Sequence, residues 1–281
     1  MFRTVLLPID FTADNGLVLA CARGLPALGV RRVVLGHVVE TSGMEGPVIS
    51  SKVDEARDKL HGLCGPLEAA GLGVEVRVAT GDTVEELGAL AAEAQVDAAV
   101  YGSHAKSLTT QLLAGSVSER LVRDAVVPQL VVRFDLLRNQ ADSATLLRHF
   151  GEKVLLPTDF SLSASRAFTH AIEMPKGTVK HIFLLHVVDP ALTGDKLRRA
   201  EEGAEFQLRN LQAMCSQQGI ASSVSIRRGN PVQVVLEEID ERRASAVAVG
   251  TRGRNAMQEM LLGSVSMTLV RQASCPVLIV P

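Results

Sequence analysis

Leu6-Leu7-Pro8-Ile9-Asp10-Phe11 returns 149 positions later as Leu155-Leu156-Pro157-Thr158-Asp159-Phe160. His37-Val38-Val39 returns at the same offset as His186-Val187-Val188. Further on, Leu112-Leu113-Ala114-Gly115-Ser116-Val117-Ser118 returns as Met260-Leu261-Leu262-Gly263-Ser264-Val265-Ser266, now 148 positions later, and Val127-Pro128 aligns with Cys275-Pro276. Solenoid repeats have periods of roughly 20–50 residues, so this chain is a duplicated domain. The first copy is placed at residues 1–135 and the second at 152–281, with 136–151 as a polar link in which Leu146 and Leu147 can dock on a domain as a short helix.

Within each copy, short β-rich runs alternate with longer helical patterns, which points to βαβ units and a parallel sheet. The strands expected are Thr4–Ile9, Val33–Val39, Val74–Ala79, Ala98–Tyr101 and Leu130–Arg133, then Val154–Pro157, Ile182–Val188, Val224–Arg227, Ala246–Val249 and Val277–Val280. Their nearly continuous apolar character suits strands covered on both faces. Between them, Val53, Ala56, Leu60, Leu63 and Leu67 recur at helical spacing, as do Ala204, Leu208, Leu211 and Cys215. The fold class is therefore α/β, two copies of a five-stranded parallel doubly wound, Rossmann-like sheet. In such a sheet the ligand crevice lies at the carboxyl ends of the strands where the winding reverses. That brings Asp10 or Asp159 together with the loop starting at Gly102 or Gly250.

Composition narrows the function. The formal net charge is −2 and aromatics are 3%, with no Trp and one Tyr, so a nucleic-acid footprint and base-stacking platforms are both missing. No run approaches the ~18–20 apolar residues of a membrane span, and the first residues read directly into a strand, so a cytoplasmic protein is expected. Cys21, Cys64, Cys215 and Cys275 form no C-x-x-C pair and are read as buried thiols. No metal-ligand spacing occurs among the histidines. His37 and His186 are read as strand-end residues satisfying local hydrogen bonds, and Glu85-Glu86 and Glu237-Glu238 as solvated helix faces.

The chemistry sits after the fourth strand of the second copy. Gly250-Thr251-Arg252-Gly253 is followed by nine residues and then Gly263-Ser264-Val265. Gly250 and Gly253 allow backbone N–H groups to approach an anion. Gly263-Ser264 opens an amphipathic helix that presents free N–H groups and the positive end of its dipole. Arg252 or Arg254 can add a cation.

This Gly-x2-Gly-x9-Gly-Ser spacing resembles that of the universal stress protein family in its ATP-binding branch. Together with the Pro-x-Asp-Phe and His-Val elements, the likeness covers nearly the whole chain twice, as in tandem members of the family. It implies an adenine nucleotide alpha hydrolase-like fold and a stress-response role with at most slow ATP hydrolysis. It also implies that Asp159, beside Pro157 and Thr158, contacts adenine or ribose and that the Val187 backbone meets adenine. Gly250, Gly253, Gly263 and Ser264, with Arg252 and Val265 alongside, would hold the phosphates of ATP, with Mg2+ as its usual companion.

The first copy departs from this pattern. Its loop reads Gly102-Ser103-His104-Ala105, nine residues, then Gly115-Ser116-Val117, so Ala105 stands where the second glycine belongs. Where left-handed backbone is needed, a Cβ costs on the order of 1 kcal/mol or more. Asp10, Val38, Gly102, Gly115 and Ser116 are thus the weaker set, and His104 reads as loop polarity before general acid. Asp10 and Asp159 can equally cap the following helix.

Three function classes remain: a non-catalytic ATP-binding regulator, a nucleotide-free adaptor on the same fold, and a nucleotide-using enzyme. The last is disfavoured by the lack of a Gly-Lys-Ser/Thr P-loop, a Ser-Gly-Gly loop or a His-x-Gly-His pair. The first strand ends in Pro-x-Asp-Phe in place of a dehydrogenase glycine fingerprint. The apolar final strands Leu130–Arg133 and Val277–Val280 lead to the expectation of an internal pseudo-dimer, with further homo-oligomers open.

Overall fold

The computed structural model describes residues 2–103, 120, 126–251 and 264–281; the side chain of Ser264 lies outside that description. The chain divides into two units, Met1–Arg148 and His149–Pro281.

Unit 1 runs β1 (Thr4–Pro8), α1 (Asn15–Ala22), a 3-10 turn (Leu25–Leu28), β2 (Arg32–Val39), α2 (Gly46–Gly62), α3 (Gly65–Glu68), β3 (Gly73–Thr80), α4 (Thr83–Glu93), β4 (Ala98–Ser103), β5 (Gln129–Arg133), α5 (Phe134–Arg138) and α6 (Ala144–Arg148). Its strands lie in the order β3-β2-β1-β4-β5, and each neighbouring pair is parallel. Unit 2 runs β6 (Val154–Pro157), α7 (Leu162–Ile172), β7 (His181–Val188), α8 (Gly194–Gln217), β8 (Ala221–Arg228), α9 (Pro231–Arg242), β9 (Ala246–Gly250), α10 (Ser264–Gln272) and β10 (Val277–Val280). Its order is β10-β9-β6-β7-β8, again parallel throughout.

The central strands are apolar because both faces are covered: Leu7, Leu35, Leu155, Leu156 and Ile182 are fully buried. The outer strands differ from the expected continuous burial. β3 and β8, reading Gly-Val-Glu-Val-Arg-Val-Ala-Thr and Ala-Ser-Ser-Val-Ser-Ile-Arg-Arg, are mostly half-exposed. Each pairs on one side with its neighbour, and its alternating polar residues face water. The helical stripe of unit 1 is also cut. Leu63 ends α2 as its C-cap, and Leu67 is buried from the separate α3. Asp82 caps α4 by accepting from the Val84 and Glu85 N–H groups, and Asn230 caps α9 from Val232 and Gln233. Such a cap contributes ~1 kcal/mol.

The duplication extends to backbone conformation. Left-handed residues recur in matched pairs: Phe11 and Phe160, Gly29 and Gly177, Gly71 and Gly219, Gly81 and Gly229, Gln95 and Arg243. Turns that must reverse in the same way use the same φ in both units.

Residues 134–148 pack on unit 1. Leu137, Ala144 and Leu147 are buried, and α6 lies against the 3-10 turn and α1. A Cβ on Gly24 would fall 2.4 Å from the Ala144 carbonyl oxygen, so glycine is required there. Arg23 and Arg148 both pair with Asp142, and the Ser143 hydroxyl donates to the Leu137 carbonyl. The four cysteines are free and buried, and burial raises the Cys21 and Cys275 thiols to about 12.

Glu238 corrects the reading of a solvated helix face. Glu237 is exposed, but Glu238 has no exposed surface; its carboxylate accepts from Arg227 of β8 and from Arg242 one turn along α9. Arg242 also lies 4.8 Å from the centre of the Phe183 ring. A carboxylate can stay buried only when so paired.

Candidate functional site

The winding reverses between β6 and β9 in unit 2 and between β1 and β4 in unit 1. β6 and β9 pair at Val154↔Ala246 and Leu155↔Val247, while β6 runs on to Pro157 and β9 to Gly250. In unit 1 the matching pairs are Val5↔Ala98 and Leu6↔Ala99, with the strands continuing to Pro8 and Ser103. The first halves of the central strands hold together, and their carboxyl halves frame the crevice.

In unit 2, Thr158 is the first residue past β6. Its N–H donates to the Leu185 carbonyl at 2.8 Å, its buried hydroxyl accepts from the Phe160 N–H at 3.0 Å, and its carbonyl accepts from His186 Nδ1 at 2.7 Å. Because a carbonyl only accepts, Nδ1 carries the proton. Asp159 Oδ1 accepts from the Ser161 N–H at 3.0 Å, a tight local turn. The N-cap of α7 is Ser161, which accepts from the Ala164 N–H, so Asp159 shapes the turn before the helix instead of capping it. Phe160 adopts φ 60, and its ring stacks on His186 with centroids 4.7 Å apart. β7 continues past its last pair with β6, Leu185↔Pro157, so that Val187 pairs with Arg227 of β8 beyond the end of β6.

Gly250 ends β9 against the start of α7. A Cβ there would sit 2.5 Å from the Ser163 carbonyl carbon and 2.7 Å from the Ala164 nitrogen. Its glycine therefore serves close helix approach, a reason different from the anion access read from sequence. The Gly250 carbonyl accepts from the buried Ser266 hydroxyl at 2.7 Å, and the Thr251 N–H donates to the Val280 carbonyl at 2.8 Å. These bonds tie the end of β9 to α10 and β10. Ser264 is the first residue of α10 and Val265 follows it, half-buried. Arg252, Gly253, Arg254 and Gly263 lie outside the described residues.

Unit 1 repeats the first half of this arrangement. His37 Nδ1 donates to the Ile9 carbonyl at 2.7 Å, and Phe11, at φ 57, packs against His37 with centroids 4.5 Å apart. Asp10 accepts from the Thr12 N–H and hydroxyl. Partial burial raises its carboxyl, but these hydrogen bonds outweigh burial and hold it below the ordinary carboxylate value. Val38 lies in β2, paired with Ala79.

The second half differs. A Cβ on Gly102 would meet the Phe134 ring at 2.3 Å and Val18 at 2.9 Å. Asp14, at the start of α1, pairs with Arg138 of α5. His104, Ala105, Gly115 and Ser116 lie outside the described residues.

A cavity of about 300 Å3 in unit 1 lies between α4 and the sheet, lined by Leu6, Leu87, Tyr101, Arg120 and Gln129 among others. Tyr101 donates its hydroxyl to Gln129 there, and burial holds that hydroxyl's pKa far above 10. Among the described residues, no group of histidine, cysteine and carboxylate side chains could hold a metal ion, and no helix is long and apolar enough to cross a membrane.

The model of the universal stress protein family matches residues 1–133 and again 151–281. The chain belongs to the universal stress protein family. A universal stress protein of Mycolicibacterium smegmatis is 25% identical over 296 residues, spanning 98% of this chain and 96% of the relative. One from Methanocaldococcus jannaschii is 30% identical over 141 residues, covering 46% of this chain and 81% of its own length. The crystal structure of a universal stress protein from Archaeoglobus fulgidus superposes with a TM-score of 0.75 at 26% identity, covering 99% of this chain and 97% of that one. The tandem arrangement is thus a property shared with full-length relatives.

What sequence reasoning missed is the packing around the motif. The phenylalanine and histidine were visible as repeated letters, but the left-handed turn and the stacked rings were not. Phe134 gave no signal, because its contact with Gly102 spans 32 residues.

Proposed function

We propose that this universal stress protein is a non-catalytic ATP-binding regulator of the stress response, with nucleotide held by unit 2. The observation that carries the reading is the crevice between β6 and β9. β6 ends at Pro157, two residues before Asp159, Val187 lies past the end of β6, β9 ends at Gly250, and α10 begins at Ser264. A carboxylate suits a ribose hydroxyl or adenine amine, and a helix N-terminus suits phosphate. Asp159 would hold the nucleoside end, and Gly253, Gly263 and Ser264 the phosphates. Mg2+ would neutralise the triphosphate charge. The chain itself binds and orients; hydrolysis is at most slow.

A second reading applies to unit 1 alone. Phe134 packs on the helix side of Gly102, and the Asp14 carboxylate at the start of α1 pairs with Arg138. This packing, which unit 2 does not repeat at Gly250, favours a nucleotide-free unit acting as an interaction module.

The test is to denature purified protein, identify released nucleotide, and titrate emptied protein with Mg-ATP by thermal shift. ATP at ~100 times its dissociation constant stabilises the folded state by about 2.7 kcal/mol. Recovery of ATP and a shift abolished by Gly263→Ala support the reading. No nucleotide and no shift would replace it with the adaptor for both units.

A further inference from the structure

We infer that His186 is a positioning residue for the base end of the unit 2 site, acting through Phe160 and the Thr158 carbonyl to aim Asp159; this rests on the ATP reading above.

The argument begins with strain. A bulky L-residue at positive φ is strained and persists only where its surroundings over-determine it. Phe160 sits at φ 60, between Asp159 and the helix-capping Ser161. Three contacts hold it: its N–H donates to the Thr158 hydroxyl, its ring stacks on His186, and His186 Nδ1–H fixes the Thr158 carbonyl. That turn fixes the backbone between Asp159 and Ser161, which the carboxylate then closes by accepting the Ser161 N–H.

Unit 1 supplies an independent instance with different neighbours. Ile9 replaces Thr158 and cannot offer a hydroxyl, yet Phe11 keeps φ 57 and His37 keeps both the 2.7 Å bond to the Ile9 carbonyl and the ring contact. The histidine and phenylalanine are thus the constant parts of the device, and the hydroxyl is an addition in unit 2. His186 is also the residue immediately before Val187, so one ring links both elements of the base end.

The experiment compares full-length wild type, His186→Ala and His186→Asn, since asparagine can donate from nearly the position of Nδ1. Amide exchange at Ser161 is read without ligand, and binding of Mg-ATP and of inorganic tripolyphosphate is titrated separately. The inference expects His186→Ala to speed Ser161 exchange and weaken ATP about tenfold, the scale of one lost hydrogen bond. Tripolyphosphate binding should be unchanged, and His186→Asn, which restores the donor but not the stacked ring, should recover part of both effects. Equal loss of ATP and tripolyphosphate would reduce His186 to a general stability residue and overturn the inference. Unchanged Ser161 exchange in His186→Ala overturns it as well. If wild type binds no nucleotide, the ATP reading falls, and the exchange measurement alone decides whether His186 sets the Asp159 turn.

Discussion

Gly102 and Gly250 hold the same place in the two units, each on the strand beside the crevice, yet different groups press against them. In unit 2 the backbone of α7 itself closes on Gly250, brought there by a helix that starts at Leu162 under a Ser161 cap. In unit 1 the helix starts later, at Asn15, with no side-chain cap bond from Asp14, and the Phe134 ring fills the space above Gly102. Copies of one fold can share strand order, left-handed turns and the His–Phe pair, and still diverge in the packing beside the crevice. The divergence comes from the segment after β5, whose Phe134 and Arg138 reach back to Gly102 and Asp14.

The largest expected effect comes from adding a methyl to each glycine. Gly250→Ala places a Cβ against α7 backbone, which cannot swing aside, and should cost about 3 kcal/mol by urea unfolding, at the upper end of overpacking. Gly102→Ala meets mainly the Phe134 side chain, which can move, and should cost less. Equal costs would mean that Phe134 is as fixed as the helix and would break the comparison.

Next comes the buried carboxylate. At the position of Glu238, counted from the helix caps Asn230 and Asp82, unit 1 carries the buried Leu90. Glu238→Ala removes the partner of two arginines and opens a cavity, at a cost of about 2 kcal/mol, less than for a fully enclosed pair because Arg227 and Arg242 are partly exposed. Glu238→Leu, which copies unit 1, should recover part of that loss. A larger loss for leucine than for alanine would show that the space around Glu238 does not accept the leucine that unit 1 carries.

Ala105 marks how far the sequence could be read. The duplication, the parallel order and the crevice were legible because apolar runs, helical stripes and repeated motifs are local patterns. The difference between the two copies beside the crevice was legible only in part, from one alanine in a glycine position. Phe134 against Gly102 and the burial of Glu238 depend on which elements meet in space, and no local pattern encodes that. The left-handed Phe160 was hidden for another reason: glycine or asparagine normally marks such a turn, and here packed rings do that work.

The smallest effect concerns Asp10. Its folded carboxyl lies below its ordinary value, so its contribution to stability is present above the unfolded value near 4 and is lost as pH falls through the folded value. Asp10→Asn should therefore lower stability at pH 7 by under about 1 kcal/mol, because the carboxylate is only partly buried and is screened by solvent. The difference from wild type should vanish in acid. A deficit that stays constant down to pH 2 would mean that the Thr12 hydrogen bonds do not depend on the charge.

The central claim is that one unit of this pair binds nucleotide. Equilibrium dialysis of emptied full-length protein against labelled Mg-ATP, with Asp159→Ala and Asp10→Ala measured in parallel, tests it most directly. The account predicts one ATP per chain, weakened at least tenfold by Asp159→Ala and unchanged by Asp10→Ala. Two ATP per chain, or a loss caused by Asp10→Ala and not by Asp159→Ala, would contradict it.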